Sequence, residues 1–360
     1  MIKLRVARSA RSGWFRSGWF LAGWLLGMWG SSLGCGTLGD GTAPQDLWPR
    51  TPLRGFVLRD ESSPFVLLKS GFDLDNPTTE PGPMSASLRL FGQLSPRNQP
   101  QQSQIFVGTV RSLAEESAPE ELLAPTLPWE GQGIANPMWL SGLPGEEPVM
   151  LYTTSDGAVG LFQRLRDGSL SRLRRPLIPA ASFGMGKLGR VSPVLTDGTL
   201  RLYFTVDDKT VHYAAADARA VADFVSDDSR SVSFSVSPAL LSASDVVISV
   251  TRSQTAVAER ISGLFVRRVL TPAGRARYDL YARAEAMGKF ALVAASSYQG
   301  DAREPFLVVS EPLLAATAGG VPSGPYVTQW NGQTLLLLGL RTVQTGVAVA
   351  LLPSDLPKQP

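Results

Sequence analysis

Residues 189–216 carry the pattern that most restricts how this chain can fold. In residues 200–205 (LRLYFT) apolar and polar side chains alternate, and the pair Asp197-Gly198 stands just before them. A second pair, Asp207-Asp208, separates this run from residues 211–214 (VHYA). Alternation with a period of two is typical of strands with one buried face, and Asp-Gly between such strands favours a tight hairpin. The segment therefore predicts consecutive antiparallel strands.

Related patterns occur in five segments of the 360-residue chain, at residues 86–110, 134–163, 189–216, 263–294 and 325–350. Their starts lie roughly 50–70 residues apart, a spacing within the range of four-stranded propeller blades with loops. Helical periodicity is confined to residues 112–123 and 216–224, where we expect short helices between blades. The sequence thus predicts an all-β fold, a five-bladed β-propeller of four-stranded antiparallel blades. Six or seven blades and a β-sandwich are the alternatives.

The first sixteen residues hold a cluster of positive charge. Five basic residues and no acid occur there: Lys3, Arg5, Arg8, Arg11 and Arg16. The whole chain has 34 basic and 31 acidic residues, so the remainder has 29 basic residues against 31 acids and a net charge of −2. A nucleic-acid-binding domain needs a basic surface. We therefore expect no nucleic-acid partner and assign the basicity to a targeting segment.

An apolar run at residues 19–29 follows the basic cluster and is too short to span a bilayer comfortably. Next comes Leu33-Gly34-Cys35-Gly36, which resembles the lipobox of bacterial lipoproteins, although Ser32 stands where that motif most often has Leu. The resemblance implies removal of residues 1–34 and attachment of the protein to a membrane through a lipid on Cys35. Since Cys35 is the only cysteine, it is available for a lipid rather than an internal disulfide. The alternative is a chance cysteine after an ordinary signal peptide or anchor helix.

These features divide the chain into four parts. Residues 1–34 are predicted to be a lipoprotein signal peptide, 35–52 the lipidated cysteine and a tether, 53–355 the propeller and 356–360 a C-terminal tail. By the enterobacterial sorting rule, Gly36 rather than Asp after the cysteine favours the outer membrane. The expected location is therefore the cell envelope, on the periplasmic or outer face of the outer membrane.

Two of the five segments resemble blades of a known clan of enzymes. Residues 192–205 read SPVLTDGTLRLYFT and are followed by HYAAAD at residues 212–217, and residues 136–162 follow the same order more loosely. This resembles the five-bladed propeller of the arabinanase, xylosidase, invertase and levansucrase glycosidases. The resemblance implies three carboxylates around a central funnel, the first of them in Asp-Pro steps. Here those steps read Asn136-Pro137 and Ser192-Pro193, with Gly82-Pro83 in the first segment, and an amide or hydroxyl can be neither nucleophile nor base in this reaction.

Carboxylates outside those steps are the catalytic candidates. Glu304, before Pro305, corresponds by the resemblance to the acid of the fourth blade, while Asp279 either faces the funnel or pairs with Arg277. The candidates for ligand binding are two polar residues at blade starts and two aromatic residues: Asn136, Ser192, Trp139 and Tyr326. For the aromatic residues as a group, packing between blades is the favoured interpretation and stacking on sugars the alternative. The group is Trp129, Trp139, Tyr152, Tyr203, Tyr326 and Trp330.

Other chemistries have little support in the sequence. With one histidine and one cysteine, zinc sites and thiol catalysis are excluded, and we expect no metal and no cofactor; His212 is predicted to be a partly buried, hydrogen-bonded strand residue. Residues 73–83 predict a solvated acidic loop rather than a calcium site. Asp156, Asp197 and Asp207 are predicted to be turn residues. Residues 183–187 (FGMGK) share only composition with a phosphate-binding loop.

Three functional hypotheses follow. The leading one is a lipid-anchored envelope protein whose propeller is a non-catalytic binding or scaffold module for a carbohydrate or a partner protein. The second is an active glycoside hydrolase whose acids lie outside the Asp-Pro positions. The third is a structural envelope subunit that binds proteins through loops such as 73–83 and 225–260.

Overall fold

The computed structural model describes residues 56–58, 66–67, 71–81, 87–113, 118–251, 253–270, 274–309, 313–314, 321–341 and 345–351. These residues contain 24 strands, one α-helix and two short 3-10 helices. The strands are numbered in chain order. The first two, β1 (Val57–Leu58) and β2 (Val66–Leu67), are short.

Blades 1 and 2 each consist of four consecutive antiparallel strands. The strands of blade 1 are β3 (Phe72–Thr79), β4 (Leu88–Pro96), β5 (Gln104–Val110) and β6 (Glu121–Leu123). Those of blade 2 are β7 (Ile134–Leu140), β8 (Val149–Thr154), β9 (Val159–Arg164) and β10 (Leu170–Arg172). The 3-10 helix Pro128–Glu130 lies between the two blades in the chain.

Blade 3 contains the hairpins predicted at residues 189–216. Its strands are β11 (Leu188–Thr196), β12 (Thr199–Val206) and β13 (Thr210–Asp217), with two short outer strands, β14 (Ser235–Val236) and β15 (Leu241–Ser242), that both pair with β13. Helix α1 (Ala218–Ser226) follows β13 directly. It begins at Asp217, whose carboxylate accepts hydrogen bonds from two backbone N–H groups of the first turn and so caps the helix.

The chain then forms a small accessory sheet before blade 4. The 3-10 helix Ala243–Asp245 precedes a two-stranded hairpin of β16 (Val247–Ser249) and β17 (Thr255–Val257). Blade 4 consists of β18 (Arg260–Leu270), β19 (Ala276–Ala286), β20 (Lys289–Ser297) and β21 (Leu307–Val308). The serine-rich run at residues 225–253 therefore supplies the edge of blade 3 and most of this hairpin.

Blade 5 joins the two ends of the described chain. It contains β22 (Val321–Trp330), β23 (Gln333–Arg341) and β24 (Thr345–Leu351), and its outer edge is β1 and β2, which both pair with β24. Strands from the start of the propeller thus complete its last blade. Without them, the edge of β24 would expose unpaired backbone donors and acceptors. The hydrogen bonds of β1 and β2 to β24 therefore link the two ends of the described chain and close the ring.

Five hydrophobic clusters hold the blades together, and each fills mainly the space between two neighbouring blades. Between blades 2 and 3 the cluster includes Leu151 and Leu202, and between blades 5 and 1 it includes Leu337 and Leu90. All four side chains are fully buried. Five clusters between five blades mean that apolar packing, the main stabilising contribution to folding, runs around the whole ring.

The structure confirms the predicted fold class and blade number. It confirms the hairpin at Asp197-Gly198, where both residues have positive φ and Thr196 pairs with Thr199, the geometry of a type I′ turn. Helix α1 confirms the prediction at residues 216–224. The helix predicted at 112–123 is wrong at its end, since Glu121–Leu123 is strand β6, and residues 114–117 lie outside the described residues.

The acidic loop predicted at residues 73–83 is also wrong for most of its length. Phe72–Thr79 is the inner strand of blade 1, and residues 82–86, which include Gly82-Pro83, lie outside the described residues. The prediction failed because the inner strand of a propeller faces the central axis. Polar residues are compatible with that position, so the alternation that marks the other strands is weak here.

Candidate functional site

The five inner strands share an irregularity at the same place. In β3, β7, β11, β18 and β22 the pairing with the next strand is interrupted by a β-bulge. Each bulge contains two residues without a partner in the register, and the first of the two is, in chain order, Asn76, Asn136, Gly189, Gly263 and Gly324. All five line one cavity of about 500 Å³. Since the inner strands contact one another in ring order, this cavity lies on the propeller axis.

A chain of amide groups crosses one side of the cavity. The side-chain nitrogen of Asn76 donates to Gln93 Oε1 at 3.0 Å and to Asn136 Oδ1 at 2.6 Å. Asn136 in turn donates to Thr153 Oγ1 at 2.7 Å. The Oδ1 atom of Asn76 is buried and accepts no hydrogen bond in the described structure. Amides that bond one another in this way present fixed donors and acceptors, the kind of surface that recognises hydroxyl groups.

The bulges of blades 4, 5 and 1 pack directly on one another. Gly324 has a φ of +50°, and a Cβ at this position would overlap Asn76 Oδ1 and lie 2.6 Å from Asn76 N. A Cβ at Gly263 would lie 2.9 Å from the backbone N and Cα of Gly324. Glycine at both positions therefore allows the three inner strands to approach at the rim of the cavity.

Arg190 lies in the cavity wall and is 1% exposed. Its Nη2 donates to the carbonyl oxygen of Pro77 at 2.7 Å and its Nη1 to that of Pro325 at 3.2 Å, both bulge residues. Its Nε has no hydrogen-bond partner within the described residues. Burial lowers the pKa of the guanidinium to about 9, so Arg190 is still charged at neutral pH.

Three carboxylates from the described part of the chain line the cavity: Asp75, Asp207 and Asp208. Asp75 stands just before the bulge of blade 1 and accepts a hydrogen bond from the Ser323 hydroxyl of blade 5. Asp207 accepts from the backbone N of Lys187 at 2.8 Å. Asp208 forms an ion pair with Arg260, with Nη2 and Oδ2 2.5 Å apart, and this contact raises the pKa of Arg260.

One of the four residues predicted to bind a ligand, Asn136, lines the cavity. The other three lie at contacts between blades. Ser192 donates to the carbonyl oxygen of Val266 at 3.1 Å and accepts from its N–H at 2.8 Å, which links blades 3 and 4. Trp139 packs edge-on against Phe91, and Tyr326 packs against Phe265.

Neither catalytic candidate lines the cavity. Asp279 is fully buried in β19, where Arg277 holds it through two hydrogen bonds of 2.7 and 3.0 Å, the second of the two interpretations. Burial raises the pKa of Asp279, although the guanidinium of Arg277 opposes that shift. Glu304 lies in the turn between β20 and β21 and accepts a hydrogen bond from the backbone N of Tyr298.

Among the described residues, no aromatic side chain lines the cavity, and the six aromatic residues of the sequence prediction lie in or against the interblade clusters. The most connected of them is Tyr152, which is fully buried and donates to Glu130 Oε1 at 2.5 Å. Glu130 also accepts from Arg172 Nη1 at 2.5 Å and from the backbone N–H groups of Thr126 and Leu127. Burial raises the pKa of Tyr152, so its hydroxyl stays a donor.

His212 is 8% exposed and confirms the prediction for it. Its two ring nitrogens lie 3.1 Å from Ser237 O and 3.0 Å from Thr210 Oγ1. Across the described residues, no three or more His, Cys, Asp or Glu side chains are grouped as metal ligands. No helix in that part of the chain has the length and apolar character needed to cross a bilayer.

Sequence reasoning missed Asp75, Gln93 and Arg190. A signal for the site exists, because Asn76-Pro77, Asn136-Pro137 and Gly324-Pro325 repeat the same step at three of the five bulges. Comparing these three steps would have aligned the blades correctly. It would also have placed Gly189-Arg190, rather than Ser192-Pro193, at the equivalent position of blade 3.

The fold and the cavity define a five-bladed β-propeller with a polar axial site. No protein-family model matches the sequence, and no curated protein matches it. Solved structures with the same fold include an endo-arabinase from Bacteroides thetaiotaomicron, with 15% identity and a TM-score of 0.55 over 81% of this chain and 97% of that one.

Two other similar structures are named as α-L-arabinofuranosidases. One is an α-L-arabinofuranosidase from Podospora anserina in complex with cellotriose, with 11% identity and a TM-score of 0.54 over 83% of this chain and 96% of that one. The other is the catalytic domain of a Coprinopsis cinerea GH62 α-L-arabinofuranosidase, with 9% identity and a TM-score of 0.56 over 84% of this chain and 98% of that one. At such identities the likeness shows the fold alone. The chain therefore shares the five-bladed propeller of these glycosidases.

Proposed function

We propose that this propeller is a non-catalytic carbohydrate-binding module of a lipid-anchored envelope protein. The observation that carries the proposal is the pair of amides, Asn76 and Asn136, at the bulges that line the axial cavity. In the resembling glycosidases, Asp-Pro steps supply acids at the start of a blade, whereas both steps here are Asn-Pro. The linked amides of Asn76, Asn136 and Gln93 form a network suited to sugar hydroxyls.

The carboxylates of the cavity argue against hydrolysis. Glycoside cleavage needs one carboxylic acid that donates a proton and a second carboxylate that stays ionised. Asp208 is already engaged in an ion pair with the guanidinium of Arg260. Asp207 is exposed and lies at a turn with a φ of +50°. Asp75 is half-buried and directly precedes the bulge of blade 1. Within the described residues it forms no ion pair, and it is the one carboxylate of the three that combines these features.

One observation favours an active hydrolase as the second candidate. Asp75 directly precedes the Asn76-Pro77 step and lines the cavity, so its carboxylate is one residue away from the position where the resembling enzymes place an acid. It accepts a hydrogen bond from the hydroxyl group of Ser323, a neutral donor that orients the carboxylate. For this candidate Asp75 is the general base.

The two candidates are separated by one set of assays. The purified protein is incubated with plant and bacterial polysaccharides, and both retention on insoluble glycan and released reducing sugar are measured for wild type, Asp75→Asn and Asp197→Asn. Asp197 is a matched control because it lies in a turn outside the cavity lining and has a φ of +49°, which asparagine also tolerates. Retention without released sugar is the expected result. Sugar release that Asp75→Asn abolishes and Asp197→Asn keeps would establish the hydrolase. Neither retention nor release would favour the structural subunit that binds proteins.

The anchor is a separate part of the proposal, and Cys35 lies outside the described residues. The lipobox-like motif and the absence of a second cysteine support it. Incorporation of labelled palmitate into the wild type and not into Cys35→Ser, together with loss of the variant from the outer-membrane fraction, is the expected result. Equal labelling of both proteins would contradict the anchor without affecting the cavity.

A further inference from the structure

The described cavity lining carries more positively charged side chains than carboxylates that could pair with them. Among the described residues, four cations line it, Lys187, Arg190, Arg260 and Arg283, against the three carboxylates described above. Arg260 pairs with Asp208. Within the described residues, Lys187, Arg190 and Arg283 have no carboxylate at ion-pair distance. Opposite charge usually accompanies a buried cation such as Arg190, because the removal of a charge from water is unfavourable.

Arg190 shows this imbalance most clearly. A guanidinium has five N–H donors in a planar fork. Two protein acceptors are present, the carbonyl oxygens of Pro77 and Pro325, and within the described residues Nε has none. The side chain is also 1% exposed, so water compensates little of the lost hydration.

Arg283 repeats the feature on blade 4. Its guanidinium lies over the ring of Phe290 at 5.1 Å, and its Nε is buried without a hydrogen-bond partner in the described part of the chain. The two arginines come from blades 3 and 4, which are neighbours in the ring, and both line the cavity. The described lining contains no aromatic ring.

We propose that the cavity selects acidic saccharides whose sugar units carry a carboxylate, an inference that rests on the proposed carbohydrate-binding function. The planar carboxylate of a uronic acid matches the fork of a guanidinium and forms charge-assisted hydrogen bonds with it. Arg190 and Arg283 bind the carboxylate. Asn76, Asn136 and Asp75 bind the hydroxyl groups, since Asp75 accepts hydrogen bonds and the amides both donate and accept.

The test compares each acid with its own ester. Galacturonate and mannuronate oligomers, and the same oligomers with every carboxylate methyl-esterified, are titrated into the full chain by calorimetry. Esterification removes the charge and keeps the hydroxyl groups. The variant is Arg283→Gln, because Arg190 also bonds two blades and its loss could unfold the ring. Arg268→Gln, on the exposed part of the same blade and outside the cavity, is the matched control.

The expected result is at least tenfold tighter binding of one acid than of its ester, weakened by added salt. Arg283→Gln should lower the affinity for the acid about tenfold and leave that for the ester unchanged, while Arg268→Gln changes neither. Equal affinity for acid and ester, or retention of neutral polysaccharides alone, would overturn the charge selectivity and leave carbohydrate binding standing. If no glycan of any kind is retained, both proposals fail together.

Discussion

Arg190 donates a hydrogen bond from Nη2 to the carbonyl oxygen of Pro77 at 2.7 Å, across the axis of the propeller. Arg190 belongs to blade 3, and Pro77 to blade 1. Nη1 also reaches Pro325 of blade 5. In a ring of five blades, blade 3 faces the junction of blades 5 and 1, which is also where the N-terminal strands complete the last blade. The buried side chain of Arg190 thus links blade 3 to the junction of blades 5 and 1 on the opposite side of the cavity.

Arg190→Ala should destabilise the fold strongly. The substitution leaves two buried carbonyl groups without their donors and opens a hole on the axis, which together should cost about 3–5 kcal/mol in the free energy of unfolding. Urea denaturation measures the change. Arg268→Ala, at an exposed position of β18, should stay within about 0.5 kcal/mol of the wild type. A loss below about 1 kcal/mol in Arg190→Ala would show that the axial hydrogen bonds do not support the ring.

Gly324→Ala tests the close packing of the bulges. The new methyl group would overlap Asn76, and we expect a loss of more than about 2 kcal/mol in the free energy of unfolding because backbone must move. Gly332→Ala is the matched control. Gly332 also has positive φ, +75°, but a Cβ at this position would meet no atom within 4 Å, so only the backbone strain of about 1 kcal/mol applies. Equal losses in both variants would contradict the packing described for the bulges.

Glu130→Ala should strongly destabilise the junction between the 3-10 helix Pro128–Glu130 and blade 2. Glu130 is fully buried, and its removal takes the carboxylate partner from Arg172 and the acceptor from the Tyr152 hydroxyl and two backbone N–H groups. Breaking a buried ion pair by removing one partner costs about 3–5 kcal/mol. Thermal and urea denaturation of Glu130→Ala, with the exposed Glu121→Ala as control, measure the effect. Similar stability of the two variants would argue against the network.

Asp301 should contribute to acid sensitivity. Hydrogen bonds from Arg303 lower the pKa of the Asp301 carboxyl in the folded protein. The unfolded chain therefore takes up the proton first as the pH falls, and the stabilisation is complete above the unfolded pKa of about 3.9 and lost below it. The wild type should exceed Asp301→Asn in the free energy of unfolding at neutral pH, and the difference should shrink below about pH 4. A difference that is constant across the titration would contradict this assignment.

The sequence was most informative where local patterns decide the structure. Asp197-Gly198 and Asn331-Gly332 each form two-residue turns with positive φ at both positions, and the flanking alternation defines their strands. Five such patterns predicted five blades. The interblade burial of Tyr152 and Tyr203 follows from the same physics, because large rings fill the space between sheets.

The site was less predictable because it depends on contacts between distant residues. Asp75 and Ser323 are 248 residues apart and meet only when the ring closes. Arg190 looks like an ordinary charged residue in the sequence, and its burial depends on the bulges of two other blades. The inner strand of blade 1 lacks apolar alternation because it faces the axis, and for that reason the first Asp-Pro equivalent was assigned to Gly82-Pro83 rather than to Asn76-Pro77.

If the axial cavity binds carbohydrate, as we propose, the substitution Asn136→Gly should weaken binding of a retained glycan. Glycine can adopt the φ of +55° that Asn136 has at this bulge, since Gly263 and Gly324 have similar φ values at the bulges of blades 4 and 5. The substitution therefore removes the amide side chain and keeps the backbone conformation. Asn331→Gly, at a φ of +50° in an exposed turn, is the matched control. We expect a dissociation constant at least tenfold higher for Asn136→Gly and unchanged for Asn331→Gly. Wild-type affinity in a folded Asn136→Gly protein would contradict the proposal.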